Sequence, residues 1–330
     1  MKKIGYIQIS SKASGGAVYI GKALHVISSD YEIETIHLEP KHFKKWRFLK
    51  ASQVFFNILF LKGGKDLWIR NFYSTVIFNK KRTKGKNLAL IFHVDFSGFS
   101  PSLKPLLIFF EKFVFYRQLK KMDQIVVISE YWKNHFLEKG YPNIEKIYCG
   151  FDLNNFNITE EEILSFKEKY GLKDKPIIYL GNCQKAKGVV DSYNALKEID
   201  VYFVTSGKKE VKIPAFNLDL NYREYLVLLR ASSIVVAMSK FKEGWCITAH
   251  EAMLCKTPVI GSGLGGMKEL LEGGKQIICK DSKQLREKVE FLLKSPKERN
   301  IIGESGYNFA KTFTQEKFNK SWLDLIHKIL

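Results

Sequence analysis

A chain of 330 residues is too long for one ordinary domain and suits two of about 150 residues each. With 45% hydrophobic and 26% charged residues it can build a full core, which excludes a disordered or low-complexity protein. The formal net charge of +19 is unusual and asks for anionic partners.

Strands and helices alternate almost from the first residue. Met1-Lys2-Lys3 precedes a short apolar run broken by Gln8 and Ser10, which reads as a strand over 4–9 and not as a signal peptide. A helix over 17–28 and a strand over 32–38 follow. Residues 41–86 then hold 13 basic residues and the single acid Asp66. Here Lys41, Lys44, Lys45, Arg47 and Lys50 are interleaved with Phe43, Trp46, Phe48, Phe55 and Phe56. That mixture suits an anionic membrane surface or nucleic acid, and it equally describes a solvated face. The stretch 54–61 is the most apolar, far short of the roughly 20 residues that span a bilayer.

Strands are expected at 66–69, 88–92 and 124–128, and helices at 101–121 and 130–139. The first of these helices is a second basic and aromatic segment. It sets Lys104, Lys112, Arg117, Lys120 and Lys121 beside Phe109, Phe110, Phe113 and Phe115. In all, residues 1–150 carry 25 Lys and Arg against 11 Asp and Glu, so the N-terminal half holds most of the charge.

The pattern pauses in the turn-rich run Cys149-Gly150-Phe151-Asp152-Leu153-Asn154-Asn155, where the domain boundary belongs. It restarts with strands at 177–180 and 201–205 around a helix at 189–199. A helix at 222–231, a strand at 233–238, a helix containing Glu251 and a strand at 258–260 come next. A last strand at 277–279 precedes helices over 282–330. Short apolar runs separated by helices indicate parallel strands buried on both faces. The fold class is therefore α/β, with two Rossmann-like, doubly wound parallel-sheet domains over 1–150 and 151–330. The last helix is able to pack back on the first domain. A cleft is expected at the C-terminal edges of the strands.

Five cysteines (Cys149, Cys183, Cys246, Cys255, Cys279) show no Cys-x-x-Cys pair, so reduced thiols of a cytoplasmic protein are expected. Ser14-Gly15-Gly16 joins the first strand to the first helix; it is either a plain turn or a place where backbone approaches a ligand. His93 and Asp95 stand at a strand end, where they either orient a sugar hydroxyl and move a proton or serve as structural hydrogen bonders. Neither their spacing nor any cysteine makes a metal site. In Gly181-Asn182-Cys183-Gln184-Lys185-Ala186-Lys187-Gly188, Lys185 and Lys187 lie beside a helix N-terminus. They either hold a diphosphate together with backbone N–H groups or are two exposed lysines.

Glu243 is expected in a loop and Glu251 inside the helix that follows. Eight residues of ideal helix rise about 12 Å. The acid pairs of glycosidases are only about 5–9.5 Å apart, so a hydrolase is disfavoured. Two separate hydroxyl-bearing groups of one elongated ligand fit better.

Glu243-Gly244-Trp245, Glu251-Ala252-Met253, Thr257-Pro258-Val259-Ile260 and Gly265-Gly266-Met267-Lys268-Glu269 together resemble the signature of retaining GT-B glycosyltransferases of family 4. Gly15-Gly16, Val127-Ile128-Ser129-Glu130, Gly150-Phe151-Asp152 and Lys187-Gly188 extend the resemblance along most of the chain. It implies a nucleoside-diphosphate sugar as donor substrate, no metal and no other cofactor. Glu243 would meet the donor sugar, Glu251 the ribose, and Lys187 the diphosphate. Backbone N–H groups around Trp245, Cys246, Ile247 and Thr248 would assist, Gly16 would border the donor, and His93 would reach towards the transferred sugar.

The chain departs from the pattern at Asn182, where the family has an arginine; Lys185 is the residue positioned to supply the missing charge. Cys149, Cys246 and Met238 also replace the usual types. The expected activity is transfer of a hexose-type unit, with retention, to a membrane- or lipid-linked glycan. Residues 41–60, with Lys44, Lys45, Trp46, Arg47 and Lys50, would dock on an anionic inner-membrane face together with 103–121, and nucleic acid is the less favoured partner. The rivals are a non-catalytic basic protein of the same fold and a sugar-nucleotide epimerase.

Overall fold

Four-residue apolar runs such as Leu88–Ile91 and Ile125–Ile128 have no exposed face, and that is the condition for strands covered by helices on both sides. The computed structural model describes residues 1–9, 15–39, 47–94 and 104–330. Packing divides these into two units, Met1–Cys149 with Glu316–Leu330, and Gly150–Gln315.

The first unit runs β1 (Lys3–Gln8), α1 (Gly15–Ile27), β2 (Glu32–His37), α2 (Arg47–Leu59), β3 (Gly63–Arg70), α3 (Phe72–Val76), β4 (Thr83–Leu90), α4 (Lys104–Phe110), α5 (Tyr116–Leu119), β5 (Gln124–Val127), α6 (Glu130–Leu137) and β6 (Ile144–Lys146). Its strands form one parallel sheet in the order β2-β1-β3-β4-β5-β6. The chain winds outward from β1 first one way and then the other, the doubly wound pattern. The helix expected over 101–121 is divided, because a π-helical turn, Glu111–Phe115, separates α4 from α5. Helix α2 and the edge strand β6 were not expected.

The second unit runs α7 (Glu160–Lys169), β7 (Ile177–Asn182), α8 (Val189–Leu196), β8 (Tyr202–Ser206), β9 (Phe216–Leu218), α9 (Tyr222–Ala231), β10 (Ile234–Ala237), α10 (Ile247–Leu254), β11 (Val259–Gly261), α11 (Gly266–Gly273), β12 (Ile277–Ile278), α12 (Ser282–Lys294) and α13 (Pro296–Ala310). The sheet order β12-β11-β10-β7-β8-β9 is again parallel throughout. Helix α7 starts at a capping box, with Thr159 Oγ1 accepting from the Glu162 N–H and Glu162 reaching back to Thr159.

A closing helix, α14 (Gln315–Ile329), brings its Phe318 and Trp322 rings edge-on to Tyr19 of α1, at 5.2 and 6.2 Å. Lys2 and Lys86 donate to the carbonyls of Leu330 and Ile329 at its C-terminus, where the helix dipole favours cations.

A candidate donor-binding site in the second unit

In an open parallel sheet, ligands collect where the winding direction reverses. In the second unit that place lies between the adjacent strands β7 and β10, from which β8 and β11 diverge. The loop after β7 and the loop after β10 meet there. Lys240 N–H donates to Ala186 O at 2.9 Å. Gly188 sits at φ +74°, and a Cβ on it would stand 2.0 Å from the Met238 carbonyl oxygen. Only glycine permits this approach.

Two side chains complete the junction. Lys187 Nζ donates to Glu243 Oε1 at 2.7 Å, and Ser239 Oγ donates to the same oxygen at 2.6 Å. The ammonium also lies 5.0 Å from the centre of the Phe241 ring. Burial works against the charge of Lys187. The carboxylate of Glu243 outweighs it, so the amine is held above its ordinary value and stays an ammonium.

The backbone of Glu243 is equally fixed. Its N–H donates to Leu264 O at 3.1 Å, and its carbonyl accepts from Gly266 N–H at 2.8 Å. Gly265, at φ +68°, fits against that carbonyl where a Cβ would come within 2.4 Å.

Glu251 lies one turn into α10 and is as buried as Glu243, each 6% exposed. Its partners are different ones. Tyr222 OH donates to Glu251 Oε1 at 3.0 Å, and burial together with the charge of Glu251 holds the Tyr225 phenol well above its ordinary value. The two glutamates therefore occupy separate polar neighbourhoods, as the loop-then-helix placement requires. Burial and the carboxylate of Glu243 push the Cys246 thiol up to about 12, so it is neutral at the start of α10.

The indole of Trp245 is turned into the core. Its Nε1–H donates to His250 Nδ1 at 3.0 Å, and His250 Nε2 lies 3.1 Å from Ala310 O. An indole N–H can only donate, so Nδ1 accepts and Nε2 carries the proton. The same imidazole stacks on Phe151 at 4.1 Å. The Trp245 side chain is thus committed to the core. Ile247 and Thr248 are half-buried in the first turn of α10.

Asn182 ends β7 with an exposed side chain whose Oδ1 accepts from Ser206 Oγ at 3.3 Å, and Ser206 pairs with Tyr179 OH at 2.6 Å. With Oδ1 occupied, its N–H donors are what it can offer an anion. Lys185 is exposed, and its ammonium has no partner among the described residues.

In the first unit, Gly16 lies in the first turn of α1 and faces the Phe92 ring, where a Cβ would come within 2.9 Å. The close approach is to this ring, next to the exposed His93 beyond β4. Ser14, Asp95, Lys44, Lys45 and Trp46, and the side chains of Arg47, Lys50 and Lys104, lie outside the described residues. In the basic and aromatic segments, Phe55, Phe56, Phe60, Phe109 and Phe113 are exposed, while Phe115 belongs to the core. No group of three or more His, Cys, Asp or Glu placed to hold a metal occurs among the described residues. Sequence reasoning missed Tyr222, Tyr225 and His250, which carry no motif of their own.

Residues 160–309 match the family model for glycosyl transferases group 1. Every second-unit candidate named above falls inside that segment. An uncharacterized glycosyltransferase of Methanocaldococcus jannaschii is 28% identical over 211 residues, 59% of this chain and 56% of that protein, so the chain spans about half its length. A trehalose synthase of Pyrococcus horikoshii is 23% identical over all of this chain and 91% of its own length. Among solved structures, Anabaena HepE in complex with UDP-glucose superposes with a TM-score of 0.76 at 14% identity, covering 99% of this chain and all of that one. The fold is GT-B, two parallel six-stranded sheets with their helices.

Proposed function

We propose that the protein transfers a hexose-type sugar from a nucleoside-diphosphate sugar to an acceptor with retention of anomeric configuration. The observation that carries this is the Lys187–Glu243 pair at the switch point of the second sheet, inside the group 1 match. In this reading the ammonium of Lys187, the amide of Asn182 and the N–H groups at the start of α10 face the diphosphate. They stabilise the negative charge that builds on it as the sugar–oxygen bond breaks. Glu243 orients sugar hydroxyls, and the acceptor hydroxyl attacks from the face the diphosphate leaves. Glu251 takes the ribose hydroxyls. The counter-charge comes from protein groups, so turnover should persist in EDTA.

The acceptor is a membrane- or lipid-linked glycan. Two features support this. Phe56 and Phe60 stack at 6.1 Å with both rings more than half exposed, and the Arg82 guanidinium lies 5.0 Å from the Phe60 ring. Lys112 lies 5.6 Å from the exposed Phe113. Exposed aromatics carrying cations suit the interface of an anionic bilayer. No helix among the described residues is long and apolar enough to cross a membrane.

A thermal-shift panel of UDP, GDP, ADP and their sugars tests the donor half, with UDP first because HepE is recorded with UDP-glucose. A ligand at a hundred times its Kd adds about 2.7 kcal/mol. No stabilisation by any of them would favour a non-catalytic protein of the same fold, the reading that Asn182 in place of an arginine supports.

A further inference from the structure

Glu251 and Tyr222 are mismatched in their need for one another. A neutral phenol left unpaired costs far less than a carboxylate 6% exposed, which must be given donors. The bond between them therefore serves the carboxylate. We propose that Tyr222 is a positioning residue for the nucleotide's ribose, its hydroxyl holding Glu251 in the orientation that accepts a vicinal diol. This rests on the reading that Glu251 takes the ribose hydroxyls.

The backbone under Tyr222 is built to hold still. Asn221 caps α9 with its side chain accepting from Glu224 N–H at 3.0 Å, and Glu224 accepts from Asn221 N–H at 3.1 Å. The neighbouring Arg223 forks onto Glu162 at 2.8 and 2.7 Å and donates to the carbonyls of Asn155 and Asn157, each at 2.7 Å. Three residues along, on the same face of the helix, Tyr225 sits near enough to Glu251 for that charge, after burial, to help raise its phenol.

The chemistry of this donor matters as much as its place. A phenol is neutral, so it fixes the carboxylate without cancelling the charge that makes the latter a strong acceptor for hydroxyls. Burial and the nearby carboxylate hold the Tyr222 hydroxyl protonated, hence donating. A carboxylate has about four acceptor positions, so a diol can be taken up with Tyr222 still in place.

The experiment measures affinity for UDP against 2′-deoxy-UDP by calorimetry, with the GDP and ADP pairs beside them, in wild type, Tyr222→Phe and Glu251→Gln. The expected wild-type preference for the ribonucleotide is about tenfold in at least one pair. Tyr222→Phe should narrow it to about twofold. A Tyr222→Phe protein that keeps the wild-type ratio, even with weaker binding overall, overturns the proposal, as does a wild type that discriminates in no pair. A Glu251→Gln protein that keeps the ratio shows instead that the ribose reading of Glu251 has failed.

Discussion

Lys187 donates to Glu243 across 2.7 Å and so joins the loop that follows β7 to the loop that precedes α10. The pair is both a fastening and the charged centre of the proposed donor site. Lys187→Met removes the cation from a carboxylate that is 6% exposed and that also accepts from Ser239. Donor kcat/KM should fall by about 10²–10³-fold, and the unfolding midpoint should drop. Glu243→Gln keeps an oxygen for Lys187 and Ser239, so its melting temperature should fall less while its turnover falls comparably. Equal turnover in both variants and wild type would remove the pair from the chemistry.

The same pair has a pH signature. The folded state holds Lys187 above its ordinary 10.5, so its contribution to stability is complete below that value. It is lost only as the pH rises through the folded value. Turnover should therefore show no decline from Lys187 between neutrality and pH ~10. A basic limb well below that, abolished in Lys187→Met, would contradict the assignment.

Gly188→Ala should be disruptive far beyond its size. A left-handed non-glycine residue costs about 1–3 kcal/mol, and here the added carbon also meets the Met238 carbonyl at 2.0 Å. The loop must move away from β10, taking Lys187 off Glu243. Urea unfolding and nucleotide affinity should both show the loss; normal affinity with lowered stability would mean the loop has another way to close.

Arg223 and Glu162 clamp the start of α9 to α7. The guanidinium and the Thr159 backbone hold the Glu162 carboxyl below its ordinary 4.5. A depressed acid contributes stability that is present above 4.5 and lost as the pH falls through the folded value. The melting-temperature gap between wild type and Glu162→Gln should accordingly be largest near neutrality and close below pH 4.5. A gap independent of pH would show that the capping geometry, and not the charge, is what Glu162 supplies.

Lys185→Ala tests whether this exposed ammonium stands in for the arginine that Asn182 replaces. Turnover should fall about tenfold, because the leaving diphosphate loses a counter-charge. Unchanged turnover would sink the idea and leave Lys187 and the α10 backbone to carry that charge.

Phe56 and Phe60 should anchor the protein on anionic bilayers. Replacing both by Ser should lower co-sedimentation with phosphatidylglycerol vesicles about tenfold. Wild-type protein that partitions equally onto neutral and anionic vesicles removes the membrane reading.

Most strands were legible because a parallel strand buried on both faces is an uninterrupted apolar run, as in 177–180 and 234–237. The two that were missed, β6 (Ile144-Glu145-Lys146) and β9 (Phe216-Asn217-Leu218), are the outermost strands of their sheets and only partly buried. At three residues each, with Glu145 and Lys146 in one and Asn217 in the other, they carry too little apolar pattern to be seen. Helix α7 could have been found, since Thr159 and Glu162 stand at capping-box spacing. Helix α2 was hidden because its outward face is aromatic where an ordinary amphipathic helix would be polar.

Taken alone, the sequence determined the residue types and their local order: two glutamates, one in a loop and one in a helix, and lysines beside a glycine that opens another helix. Those are short-range facts, set by periodicity and turn chemistry. Tertiary structure decided the partnerships. Lys187 and Glu243 are 56 residues apart in the chain, and Tyr222 and Glu251 are 29. It also turned Trp245 inward to His250 and sent Phe115 to the core while Phe113 stayed outside. A buried carboxylate must find donors from whatever element the sheet order places beside it, and that order is fixed by packing across the whole unit.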